Sequence, residues 1–423
     1  MFYMEIMRLT DIDLFNPDTY VRGVPHDAFR FLRKEAPVYF HPEPDGGAGY
    51  WALTRYDDIV AVSKDPGRFS SARGTNIQDL PPPDLAIIQT IMLNMDPPQH
   101  QKFRKLASQG FTPRMVALLE PRIRIVTNQI IDRIAAKGEC DFVTSVAAEL
   151  PLQVIAELMG IPLEDRHKVF DWTNRLVGFD DPEFQTSYED GKIAAMEMWM
   201  YANELAVSRK GKEGNDLVTV LINGVVDGET LSEIEFDAFF LLLAVAGNET
   251  TRNLISGGML ALVEHPAERA RLLHNPELLP SAVEEMLRWV TPLIHFRRTA
   301  TCDTEIRGQK IRAGEKVVMY YPSANRDEAV FSDPDTFDIE RTPNDHLSFG
   351  IGEHFCLGAS LARMEIRVMF EALLRRLPDI ELAGRVRRLR SNFLNGFKEI
   401  PVRFTPETST RMHRPAPSEE ARS

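Results

Sequence analysis

The chain has 423 residues, 49 basic against 62 acidic, and a formal charge of −13. With 43% hydrophobic and 26% charged residues it has the make-up of a folded globular protein, which excludes disordered and fibrous classes. The acidic total argues against nucleic acid as a partner, and no stretch reaches the ~20 apolar residues of a membrane span.

Glu5, Arg8, Asp11 and Asp13 stand where a signal peptide would carry its apolar core, so a cytoplasmic location without a membrane anchor is expected. Cys140, Cys302 and Cys356 are far apart and lack C-x-x-C spacing, which speaks against a disulfide framework and against zinc or iron-sulfur sites. Walker-type, HExxH and strand-following G-x-G-x-x-G motifs are absent.

In chain order, alternation predicts short strands at 37–40 and 49–54. Apolar residues three and four apart then predict helices over 114–137, 145–159, 187–207, 231–264 and 277–290. The fourth, about 32 residues and roughly 48 Å long, is apolar nearly all round in its middle and should be a buried central helix. A strand pair with a Gly-Gln turn follows over 304–318, then a helix over 359–377 and a strand over 399–404. The fold class is therefore mainly α with small β-sheets, as one domain over 1–405 with a polar, disordered tail over 406–423.

Three constellations stand out. In FGIGEHFCLG, 349–358, glycines surround Cys356 where a loop becomes a helix. Loop amides and the helix N-terminus should lower the thiol pKa and hold a thiolate, suited to an axial heme position; the bland reading is a buried small hydrophobe. In AGNETT, 246–251, Thr250 can bond the Ala246 carbonyl or admit a water, and Glu249 can carry protons; the bland reading is a tolerated kink with a salt-bridged Glu. In EEMLR, Glu285 and Arg288 share a helix face, which for an isolated pair means a surface ion pair.

Together these residues resemble the cytochrome P-450 superfamily in its soluble bacterial form, over about residues 10–405. The resemblance implies the cofactor heme b (iron protoporphyrin IX), lying between the long central helix and the cysteine-bearing helix. It makes Cys356 the metal ligand, with Phe349 and Gly350 in the cofactor loop. Glu285, Arg288 and, in FDIER, Arg341 match the three residues that lock the core behind the heme. In DPPQHQKFR, His100 and Arg104 match residues that grip one propionate, and Arg298 and His354 match those at the other. Asp96 and Pro97 also read as an ordinary helix start. Glu249 and Thr250 match the acid-alcohol pair that delivers protons to dioxygen.

The resemblance thus implies a monooxygenase inserting one oxygen atom from dioxygen into an unactivated C–H bond of a hydrophobic substrate. A peroxide-using heme-thiolate enzyme or a non-catalytic heme-binding protein is the alternative. Electrons would come from a separate ferredoxin and its NAD(P)H-dependent reductase, docking near Lys102, Arg104, Lys105, Arg114, Arg363 and Arg367. Segments that line the family's pocket (87–95, 177–184, 242–246, 293–296 and 393–397) are apolar here, with Ala246, Leu293, Ile294, Phe296 and Leu394 as pocket residues. Local wording is most similar to hydroxylases of steroid side chains and methyl-branched lipids, with terpene hydroxylases next.

Overall fold

The computed structural model describes residues 7–214, 216–225 and 230–407. Its α-helices are, in order, α1 (His26–Glu35), α2 (Tyr56–Ser63), α3 (Pro82–Ile88), α4 (Gln99–Ala107), α5 (Pro113–Ala135), α6 (Glu149–Met159), α7 (Arg166–Val177) and α8 (Tyr188–Arg209). There follow α9 (Leu217–Asn223), α10 (Glu233–Glu264), α11 (Pro266–His274), α12 (Leu279–Val290), α13 (Tyr321–Ala324) and α14 (Ala359–Arg376).

Helix boundaries follow local chemistry. Ser232 and Glu235 cap α10 reciprocally: the Glu235 carboxylate accepts the Ser232 amide at 2.8 Å while the Ser232 hydroxyl accepts the Glu235 amide. Pro266 opens α11 two residues after α10 ends. Thr112 caps α5 through the Met115 amide, with Pro113 at the first helical position.

Most of α10 is buried, and it packs on α6, α7, α8, α12 and α14. Two glycines permit that approach. A Cβ at Gly247 would lie 2.7 Å from the Ile155 side chain of α6, and one at Gly258 would press on Met286 of α12 and Phe370 of α14 at 3.0 Å. The cost of about 1 kcal/mol for a glycine inside a helix is offset by this contact.

The largest sheet has the order β1 (Val38–His41), β2 (Tyr50–Leu53), β8 (Lys316–Tyr320), β5 (His295–Ala300) and β3 (Phe69–Ser70), antiparallel except for the parallel β2/β8 pair. A three-stranded sheet joins β4 (Glu139–Asp141), β12 (Pro401–Arg403) and β9 (Glu381–Leu382). The pairs β6 (Thr304–Ile306) with β7 (Gln309–Ile311) and β10 (Arg387–Arg388) with β11 (Phe397–Glu399) complete the strands.

Several expectations change. The run over 304–318 is split: β6 and β7 turn at Arg307 and Gly308, both at positive φ, whereas β8 joins the large sheet. The helix expected from 145 is preceded by a π-helical turn, Val143–Ala147, and α12 begins after the 3-10 turn Pro276–Leu278. Asp96 does not cap α4. Its carboxylate instead accepts the Ser70 hydroxyl and the Ser71 amide (2.8 Å), tying the start of α4 to the end of β3. Of the expected tail, Glu407 is held by Arg376, and 408–423 lie outside the described residues. No helix among the described residues is long and apolar enough to cross a membrane.

Candidate active site

The cysteine loop is built by glycine. Gly350 and Gly352 both have positive φ, and a Cβ on Gly352 would fall 2.4 Å from the Ser63 carbonyl oxygen, so α2 is where the loop comes to rest. The Cys356 amide donates to the Phe349 carbonyl at 2.9 Å, closing the loop before α14 starts at Ala359.

The expected lowering of the Cys356 thiol pKa does not occur. Burial raises it, and this outweighs the Gly358 amide and the Arg104 and Arg363 charges, which lower it. A loop amide and two cations at the edge are too little to keep a thiolate in a low-dielectric setting; a metal cation on the sulfur itself would reverse the balance. Cys140 is inert for the same reason, its thiol pushed up to about 12 by burial.

Four basic side chains converge beside this loop. The His100 and His354 rings lie 4.2 Å apart, and Arg104 Nη2 donates to the Phe355 carbonyl at 2.6 Å. Burial and then Arg104 depress His100, with Arg298 on β5 adding to them. His354 falls to about 2, first through burial and then through Arg298, His100 and Arg104. Arg298 is itself buried and, among the described residues, makes no ion pair and donates only to the Arg297 carbonyl. His100 Nδ1 is buried without a hydrogen bond. Glu353 reaches His100 Nδ1 only at 3.8 Å, so two buried or half-buried guanidiniums and two desolvated imidazoles are left short of acceptors and are costly unless an anion joins them. Two propionates would satisfy this set, and one cysteine sulfur beside it would complete the donors a heme requires, so the residues present fit that group.

Glu285, Arg288 and Arg341 form a closed lock rather than a surface pair. Arg288 Nε and Nη2 donate to Glu285 at 2.8 and 2.6 Å, with both side chains fully buried. Arg341 Nε, Asn344 Nδ2 and the Asp338 amide fill the remaining carboxylate positions. Carbonyls of Asn325, Pro334 and Thr336 take the rest of Arg288.

On α10 the helix is unbroken through 246–251, and the Thr250 hydroxyl donates to the Ala246 carbonyl at 3.0 Å. Leu242, Ala246 and Thr250, four residues apart, form an open stripe in the middle of a mostly buried helix, flanked by half-buried Leu241, Val245 and Gly247; Ala246 is exposed and the other two are half-buried. Glu249 turns instead toward α7. It is sealed from solvent and paired with Arg252, and burial raises its pKa against that pairing. Arg252, Thr173 and Asn174 were not expected at the site. The signal for the first was present, since Glu249-Thr250-Thr251-Arg252 repeats the E-x-x-R spacing.

Of the pocket residues, Leu293 and Leu394 are bridged directly, and Phe296 joins them through the Phe393 ring at 6.0 Å. Ile294 is fully buried in the cluster of Tyr50, Val318 and Tyr320. Arg363 is committed to Glu284 at 2.7 and 2.8 Å, and Arg367 to Glu120 at 3.0 Å, so these two expected docking cations are already neutralised.

The family model described as cytochrome P450 matches residues 152–378. The chain is 45% identical over 402 residues to a steroid C26-monooxygenase from Rhodococcus jostii (strain RHA1), covering 93% of this chain and 84% of that protein. It is 43% identical over 409 residues to a methyl-branched lipid omega-hydroxylase from Mycobacterium bovis (strain ATCC BAA-935 / AF2122/97), covering 94% and 95%. The solved structure of a Mycobacterium marinum cytochrome P450 in complex with pseudoionone superposes with a TM-score of 0.88 at 40% identity, over 95% of this chain and all of that one. A cysteine loop beside an anion-seeking cluster, a buried E-x-x-R lock and likeness over nearly the whole chain agree: the chain belongs to the cytochrome P450 family, the heme b monooxygenases that hydroxylate hydrophobic substrates with dioxygen.

Proposed function

We propose that the enzyme hydroxylates a terminal methyl carbon of a branched apolar chain, on a steroid side chain or a methyl-branched lipid, with electrons from a separate ferredoxin. The observation that carries this reading is the open stripe of Leu242, Ala246 and Thr250. It offers one hydroxyl in an otherwise apolar track, which suits an alkyl terminus and gives a polar headgroup nothing to bind. The steroid C26 and lipid omega positions named for the two relatives are both chain ends, which supports the same regiochemistry.

In this reading Cys356 holds the iron, with Phe349 and Gly350 shaping its loop. His100 and Arg104 bind one propionate, and Arg298 and His354 the other. Heme, when bound, supplies the center at which dioxygen is activated. Glu249 and Thr250 move protons, while Leu293, Phe296 and Leu394 orient the chain, and Glu285, Arg288 and Arg341 keep the base of the site rigid. The ferredoxin would approach the Cys356 loop, where Phe355 is exposed and Arg114 makes no ion pair among the described residues.

The test is a spin-state titration of the ferric enzyme with a steroid bearing an intact side chain, a methyl-branched fatty acid and a terpene alcohol, followed by mass-spectrometric location of the new hydroxyl. A shift with the first or second substrate and oxygen at a terminal methyl is expected. Oxidation at a ring carbon, or a response to the terpene alone, contradicts the assignment.

A further inference from the structure

We propose that Asp79, caught between Arg297 and Lys316, is a positioning residue of the active site: it pins the segment 71–95, which walls the space between the heme cradle and α10, and so sets how firmly a large ligand is held there. The inference rests on the reading of Cys356 and its basic cluster as a heme site, and is independent of which substrate occupies it.

Strand alternation builds the pin. Side chains of β5 point to opposite faces in turn, so Arg298 joins the basic cluster beside Cys356 while Arg297 turns to the other face of the large sheet. Lys316 of β8 pairs with Thr299, two residues beyond Arg297, and therefore lands on the same face as Arg297. Both cations are buried. Lys316 Nζ donates to the two carboxylate oxygens of Glu43 at 2.6 and 2.7 Å, and to Asp79 Oδ2 at 2.9 Å. Glu43 thus matches the lysine, while Arg297 pairs with Asp79 at 2.7 Å from Nη1 to Oδ1. The carbonyls of Asn76, Ile77 and Gln78 lie farther from the same Nη1, at 3.5, 3.3 and 3.4 Å, and Arg297 Nε is buried without a partner. Burial opposes ionisation of Asp79, yet Lys316 and Arg297 hold its carboxyl below the ordinary range.

The pinned segment runs from one side of the site to the other. It starts at Ser71, whose hydroxyl lies 3.2 Å from His354 Nε2, and ends at the turn Met92–Asn94, which packs on α10. Between these ends the Thr75 carbonyl accepts the Arg297 amide at 2.7 Å, and Ile77 is buried with Ile294 and Tyr320. The helix that follows, α3, has no buried side chain. A helix without a core of its own takes its place from the ties at its ends. Two of those ties are shallow: the Ala72 carbonyl accepts from Gln89 Nε2 at 2.8 Å, and Asp84 meets the exposed Tyr188 and Lys192 of α8 at 2.5 and 3.4 Å. Asp79 is the deep one. Its own side chain is 60% exposed, but both partners are buried, so swinging the segment outward would leave the Arg297 guanidinium with only the more distant charge of Glu43 among the described residues.

The experiment compares D79N, D79E and R297K at matched heme content. It reads hydrogen exchange over 71–95 by mass spectrometry, and the release rates of two iron-binding probes from the ferric enzyme, bulky clotrimazole and small imidazole. Expected in D79N are faster exchange confined to 71–95 and clotrimazole release about tenfold faster, with imidazole release unchanged, because only the bulky ligand leans on the wall. D79E keeps the charge and should recover most of the effect. Wild-type exchange and clotrimazole release in D79N would overturn the proposal, as would equal acceleration of both probes, which marks general loosening of the fold. No spectral response to either probe in the wild type would overturn the heme-site reading and the proposal with it. Should D79N fail to fold, R297K, which keeps a charge but loses the fork that spans Asp79 and the three carbonyls, carries the same comparison.

Discussion

Among the described residues are two buried E-x-x-R pairs that differ in how completely they are bonded. Glu285 and Arg288 on α12 have every donor and acceptor filled by Arg341, Asn344, the Asp338 amide and three carbonyls. Glu249 and Arg252 on α10 have the same spacing, but here an atom of the pair itself, Arg252 Nε, is without a partner, whereas at the first pair the orphan is the outlying Asn344 amide oxygen; burial also raises the Glu249 pKa. A saturated buried network is a fixed scaffold, while an unsaturated one keeps a second arrangement within reach. Identical spacing thus gives a filled network in one helix and an incompletely bonded one in the other, and the difference lies in what surrounds each pair.

The largest effect should come from breaking the scaffold. Glu285→Gln leaves two buried guanidiniums short of charge and should cost about 3–5 kcal/mol with loss of heme uptake, read by thermal unfolding and the heme-to-protein absorbance ratio. Glu249→Gln should cost only about 1–3 kcal/mol, since fewer partners are abandoned. Its product formation should nevertheless fall about a hundredfold, while heme content is kept. Equal stability losses in the two variants would erase the contrast drawn here.

Arg298→Leu sharpens the comparison from the other side, because it removes a buried cation that makes no ion pair among the described residues, Asp96 acting on it only from a distance. The heme-free protein should gain about 1–2 kcal/mol, and heme affinity, measured by transfer to apomyoglobin, should drop about tenfold.

The smallest effect concerns Glu284. Burial opposes its ionisation, yet Arg363 and His346 hold it down at about 2. A depressed carboxylate gives stability that is whole above its ordinary value of 4.5 and is lost as pH falls toward 2. Glu284→Gln should therefore lower stability near neutrality and flatten the acid limb, the two proteins converging as pH falls toward 2.

Much of the fold was readable from sequence because its helices announce themselves. The 3.6-residue period alone placed α10 and α5, and the Ser232–Glu235 box and Pro113 turn out to mark their starts. The cysteine loop was readable because its glycines have no substitute at positive φ. What could not be read was long-range. β5 pairs with a strand from another segment, and its Arg-rich wording carries no alternation. The pKa of Cys356 depends on burial more than on its neighbours in sequence. Thr173 and Asn174 matter only because α7 folds onto α10, some seventy-five residues away.

The central claim, that Cys356 holds the heme whose anion-seeking cradle this structure shows, is tested most directly by the carbon monoxide difference spectrum of the dithionite-reduced protein beside Cys356→Ser. The account predicts a strongly red-shifted Soret band in the wild type that the variant loses. A band like that of a histidine-ligated globin, or a red-shifted band that survives in Cys356→Ser, would contradict it.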